Sequence, residues 1–129
     1  DFPAQKISVE AERPDGALDI ANVNVVAVVP YLIMKTAAMG RGKAKDAYDI
    51  YFVIKHYAGG VKELAKEFEP VKDKKLVLET IEKLAGKFAS ENHAGPIDVA
   101  DFLDLEDEES IEMIKRDAYE QVNALLKLI

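Results

Sequence analysis

Lys35, Arg41, Asp46, Asp49 and His56 fall within one stretch, MKTAAMGRGKAKDAYDIYFVIKHY (34–57), whose other positions are largely apolar. Ammonium and guanidinium groups beside carboxylates are the set that handles phosphates. Arginine gives bidentate contacts and lysine a compact charge. Lys35 sits among Leu32, Ile33, Met34, Ala37 and Ala38, so its ammonium must either reach outward along its own stem or meet a partner. Asp49 is the informative residue: Tyr48, Ile50, Tyr51 and Phe52 surround it in sequence. A carboxylate buried there needs a cation or hydrogen-bond donor, and Lys35 and Arg41 are the nearest candidates. Asp46, Asp49 and His56, offset by three and seven residues, fall broadly on one helix face.

Those side chains need two helices and a turn. Pro30 suits a first helical position, and YLIMKTAAM continues from it until Gly40 and Gly42 interrupt. The turn GRGKAK leads to a second helix, which Asp46 can cap and which runs to Tyr57 before AGG. The glycine turn would bring both helices to a common mouth with Arg41, Lys43 and Lys45 on its rim. Simpler roles fit the same spacing. Asp46 can be an N-cap only, Lys35 and Asp49 a structural ion pair, and Arg41 and Lys43 solvated turn residues.

Ahead of this stretch, QKISVEAE alternates with the period of a half-buried strand, RPDG reads as a turn, and LDIANVNVVAVV fits a second strand ending near Val29. Helical spacing returns with Val61, Leu64, Ala65 and Phe68 (61–69), then Val77, Ile81, Leu84 and Phe88 (73–89). SENHAGP reads as a loop, followed by a short helix near 98–103 and a long one from about Ser110 to Leu128. The last carries Ile111, Ile114, Ala118, Val122, Leu125 and Ile129 as its apolar stripe. The expected fold class is therefore α+β: a strand pair over 1–29, the remnant of a larger sheet, followed by a helical bundle over 30–129, all in one domain or fragment. A lone strand pair is marginal and leaves open edges, so its companions are expected upstream, and self-association is plausible.

The chain has 129 residues, 49% hydrophobic and 32% charged, enough for one domain with its own core. A net charge of −7 argues against sequence-independent nucleic-acid binding and confines any polyanion site to a local pocket. With no cysteine, disulfides and thiolate metal sites are excluded. No apolar run is long enough to span a membrane and no export signal is evident, so a cytoplasmic location is expected. His93 has no second histidine at ligand spacing and reads as a loop residue. The eight acidic residues from Asp98 to Glu112 read as a solvated face favouring the start of the last helix, or as a contact for a basic partner.

The string MKTAAMGRGKAKDAYDIYF resembles the downstream signature of the nucleotidyltransferase-like AbiEii family, found in abortive-infection and type IV toxin–antitoxin systems. Lys35, Ala38, Arg41, Lys45, Asp46, Tyr48 and Asp49 match it. VNVVAVVP, GPIDVADFL and RDAYEQVNALL extend the likeness. The resemblance implies transfer of a nucleoside monophosphate from a nucleoside triphosphate to an acceptor, with magnesium on the phosphates. It makes Lys35 and Asp49 catalytic, Lys35 holding the triphosphate and Asp49 orienting that lysine or the nucleotide, with Arg41 and Asp46 in support. An antitoxin protein, an RNA acceptor or a second copy are the partners it suggests. The family's upstream glycine turn and spaced metal-binding aspartates are not found in this sequence, so the expectation is a C-terminal portion that is inactive alone. The rival expectation is a non-catalytic helical interaction module.

Overall fold

The computed structural model describes residues 27–41 and 43–129. Its elements are α1 (Val28–Met39), α2 (Ala44–His56), α3 (Gly60–Phe68), a single 3-10 turn (Glu69–Val71), α4 (Lys75–Lys87), α5 (Ala94–Leu103) and α6 (Glu108–Leu128). Among the described residues there is no strand, which overturns the expected α+β class: this is a helical bundle. The expected second strand fails where it can be seen. Ala27 is extended, but Val28 and Val29 already form the first turn of α1, with the Tyr31 amide donating to the Ala27 carbonyl. β-branched residues favour strands because they fit a half-buried pleated surface, and here a buried helix face takes them instead. The rest of the expected strand pair, residues 1–26, lies outside the described residues. Pro30 is thus the third residue of α1, still within the first turn, where its missing N–H breaks no helical bond.

The remaining helices follow local chemistry. α3 starts at Gly60, preceded by Gly59, and both glycines are at positive φ (82° and 88°). α5 begins at Ala94, so part of the expected SENHAGP loop is helical; Pro96 lies in its first turn, where proline is tolerated. α6 begins after Asp107, whose carboxylate accepts from the Ser110 amide and hydroxyl, both at 2.8 Å. Glu108 and Glu109 then face the positive end of the helix dipole, as expected of this acidic segment.

α2 is the spine, packed against α1, α3, α5 and α6. Its Ile50 and Ile54 belong to one continuous buried core with Leu32 of α1, Leu64 and Phe68 of α3, Val77 and Leu84 of α4, Val99 of α5 and Val122 and Leu125 of α6. The stripes expected for α3, α4 and α6 are the faces that point inward. Leu64, Phe68, Val77, Leu84, Phe88, Ala118, Val122 and Leu125 are buried, while Val61, Ala65, Ile81, Ile114 and Ile129 line the margin.

Gly95 marks a tight fit against the core. A Cβ there would stand 2.6 Å from carbons of the fully buried Phe88 ring. Gly95→Ala is expected to cost about 1–3 kcal/mol, read as a lower urea midpoint at unchanged slope. Gly86→Ala, with nothing within 4 Å of the added atom, should instead stabilise by up to about 1 kcal/mol. Equal effects at the two sites would refute this account of Gly95.

Candidate functional site

The turn after Met39 folds α2 back beside α1 and brings Lys35 against the first two turns of α2. The Lys35 ammonium lies 2.8 Å from Asp49 Oδ2 and donates to Asp46 Oδ1 at 3.3 Å. Lys45, one turn before Asp49 on the same helix, donates to the same Oδ2 at 2.9 Å. Two cations and two carboxylates therefore form one continuous cluster. The Lys35 and Asp49 side chains are 19% and 15% exposed, so the pair is mostly desolvated but not sealed. Of the expected residues, Lys35, Asp46 and Asp49 converge; Arg41 lies exposed on the turn and pairs with neither carboxylate among the described residues.

Asp46 is not the N-cap. Lys43 holds that position, and Asp46 is the third residue of α2, where its carboxylate is spent on Lys35. Tyr31, one turn before Lys35, puts its ring 5.7 Å from the ammonium. Contact with the Asp49 carboxylate holds the Lys35 pKa above the ordinary lysine range, against the downward pull of burial. Lys35 is thus a fixed positive charge at neutral pH, suited to clamping an anion and unsuited to acting as a general base. Burial, and then the charge of Asp49, push the Tyr31 hydroxyl up, so it stays protonated.

The resemblance implies magnesium, which requires near-octahedral oxygen ligation. Asp46 and Asp49 are already engaged by ammonium groups, and no group of three His, Asp or Glu suited to a metal occurs among the described residues. These residues do not fit a magnesium ion by themselves.

A second polar cluster was not anticipated from the sequence. Tyr51 of α2 donates its hydroxyl hydrogen bond to Asp117 of α6, Lys55 reaches Asp117 Oδ2 at 2.6 Å, and Gln121 donates to Oδ1 at 3.3 Å. Burial pushes the Asp117 carboxyl up, but donors from Lys55, Tyr51 and Gln121 outweigh it and hold the pKa below the usual range. Tyr51, buried and facing Asp117, is pushed up to about 12. The i,i+4 spacing of Tyr51 and Lys55 was visible, but nothing local points to Asp117 across the bundle. His56, the third member of the expected face, rests against Phe52 with ring centroids 4.6 Å apart; burial, and then Lys55, lower its pKa. His93 precedes α5 with Nδ1 2.6 Å from Ser90 Oγ.

Lys35→Met and Asp49→Asn are each expected to destabilise by about 1–3 kcal/mol, because the first leaves the buried Asp46 without its cation and the second takes from Lys35 its nearer carboxylate. The double variant should lose about 1 kcal/mol less than their sum; strict additivity in urea unfolding would exclude the coupling. Asp117 contributes through a depressed folded pKa, so its contribution is present above the unfolded value of 3.8 and is lost as pH falls through the folded one. Asp117→Asn should cost about 1–2 kcal/mol at pH 7 and flatten the acid limb of the stability profile. An acid limb identical to that of the parent protein would contradict this.

No protein-family model, curated protein or solved structure matches this chain.

Proposed function

We propose that α1 and α2 carry the phosphate-holding half of a nucleotidyltransferase-like site, one that transfers a nucleoside monophosphate from a nucleoside triphosphate to an acceptor. The observation that supports this reading is the convergence of the Lys35 ammonium on Asp46 and Asp49, as the resemblance of residues 34–52 implies. An ammonium has three donors. Two are directed at the carboxylates, and the partial exposure of Lys35 is where the third meets an incoming phosphate oxygen. Asp49 orients the lysine, Asp46 supports it, and Arg41 on the adjacent turn adds positive charge at the rim.

In this reading Lys35 stabilises charge on the phosphates as the acceptor displaces pyrophosphate. It binds and positions, and moves no proton. The magnesium that the resemblance implies would supply further charge neutralisation and would need carboxylate ligands other than Asp46 and Asp49. The acceptor is an RNA or a protein such as an antitoxin.

A second reading, a non-catalytic module that self-associates or binds a protein, draws on the exposure of Met34 on α1, Leu76 and Leu78 on α4 and Met113 on α6. Light scattering separates the two: a monomer at all concentrations weakens self-association.

Alone, this chain is expected to give no magnesium-dependent incorporation of labelled nucleotide. Joined to a segment bearing paired metal-binding aspartates, it should incorporate label, and Lys35→Gln should reduce the rate about 100-fold or more. Incorporation by the chain alone, or a rate unaffected by Lys35→Gln, would overturn the proposal.

A further inference from the structure

Away from α1 and α2, the end of α4 and the start of α5 border an open cleft of about 420 Å³ lined by Lys83, Gly86, Lys87, His93 and Ala94. None of these residues is acidic, in a chain whose net charge is −7. Lys83 and Lys87 are one turn apart on α4, so both stems lie on the same side of the helix. Neither belongs to an ion pair among the described residues. Asp98, further along α5, is the carboxylate that feels Lys87. Gly86 also lines the cleft, and a Cβ there would meet nothing within 4 Å, so it takes up none of the open space.

His93 adds a directional group from the other side. Ser90 Oγ accepts from the Asn92 amide at 3.1 Å and lies 2.6 Å from His93 Nδ1. The hydroxyl has two lone pairs and one proton, so it can accept from that amide and donate its proton to Nδ1. In the tautomer that accepts at Nδ1, the ring proton is on Nε2, which is then a donor.

We propose that this cleft is a phosphate site for a small phosphomonoester, separate from the Lys35 cluster. Lys83 and Lys87 supply two positive charges against a dianion, and His93 Nε2–H supplies the hydrogen bond that orients it. The methylene stems of the lysines and Ala94 give the organic part of the ligand an apolar wall. Free phosphate shares the recognised chemistry and is the competing source of the same contacts.

The test is a ¹H–¹⁵N chemical-shift titration of the protein with inorganic phosphate, with adenosine 5′-monophosphate and with sodium chloride at matched ionic strength. Saturable shifts centred on the amides of Gly86, His93 and Ala94 are expected, with the nucleotide binding more tightly than phosphate. Lys83→Met/Lys87→Met should weaken both by about tenfold or more. Gly86→Leu, which keeps the charges but fills the space, should weaken the nucleotide more than phosphate. Because Lys83 and Gly86 are exposed, a urea midpoint no lower than that of the parent protein is expected to confirm that each variant is folded, with Gly86→Leu raised as for Gly86→Ala. Equal affinity for phosphate and nucleotide would reduce the site to a free-phosphate site and overturn the phosphomonoester assignment. Shifts reproduced by chloride, shifts centred on Lys35, or affinities unchanged in the double-lysine variant would overturn the site altogether.

Discussion

One ammonium shared between two carboxylates ties α1 to α2, and the polar chemistry of this end of the molecule depends on it. Lys35 comes from a helix whose buried residues are apolar apart from Thr36, so its charge is tolerated because Asp46 and Asp49 stand within 3.3 and 2.8 Å. The constraint runs in both directions. Without Lys35 the two acids, three residues apart on one helix face, would repel each other in a half-desolvated setting. Their shared cation turns that repulsion into an attachment between helices. The same arrangement fixes the direction of the ammonium, the property a phosphate clamp requires.

α2 meets three different environments around its circumference. Ile50 and Ile54 are fully buried in the aliphatic core, Asp46 and Asp49 face Lys35, and Tyr51 with Lys55 meets Asp117 of α6. An aromatic strip completes the circuit, with Tyr48 stacked on Phe102 at 4.9 Å and Phe52 against His56. Directional contacts on two sides fix the rotation of the helix about its axis, which nonspecific aliphatic packing alone leaves loose. A small rotation would separate Asp49 from Lys35 and Tyr51 from Asp117 together. The geometry at one cluster is therefore supported by the other.

The sequence disclosed those features that an unfavourable setting forces. A charge among apolar neighbours must find a partner, which is why Lys35 and Asp49 could be paired before any coordinates. Helices α3, α4 and α6 were legible for a similar reason: their apolar residues recur at a spacing with one buried solution, and Leu64, Phe68, Val77, Leu84 and Leu125 take it. Misreadings arose where two local solutions have nearly the same cost. Val28 and Val29 satisfy a strand or a buried helix equally well, and tertiary packing decided. Asp46 near a helix start has capping as its ordinary role, but the helix begins earlier, after Lys43, and Lys35 claims the carboxylate. The Gly-Pro pair at 95–96 suggested a loop, although proline within a first turn does not interrupt a helix. Asp117 is beyond local reasoning altogether, because its partners Tyr51 and Lys55 lie across the bundle.

Lys45, 63% exposed, holds the same oxygen of Asp49 that Lys35 does. A group that drew Lys35 away would therefore leave Asp49 with a counter-ion already at 2.9 Å, supplied from the aspartate's own helix. The exchange leaves Asp49 paired, while Asp46, whose one cation among the described residues is Lys35, gives up its partner. Lys45 is thus an understudy, and Lys35 can change allegiance at a lower desolvation penalty than its mostly buried position suggests.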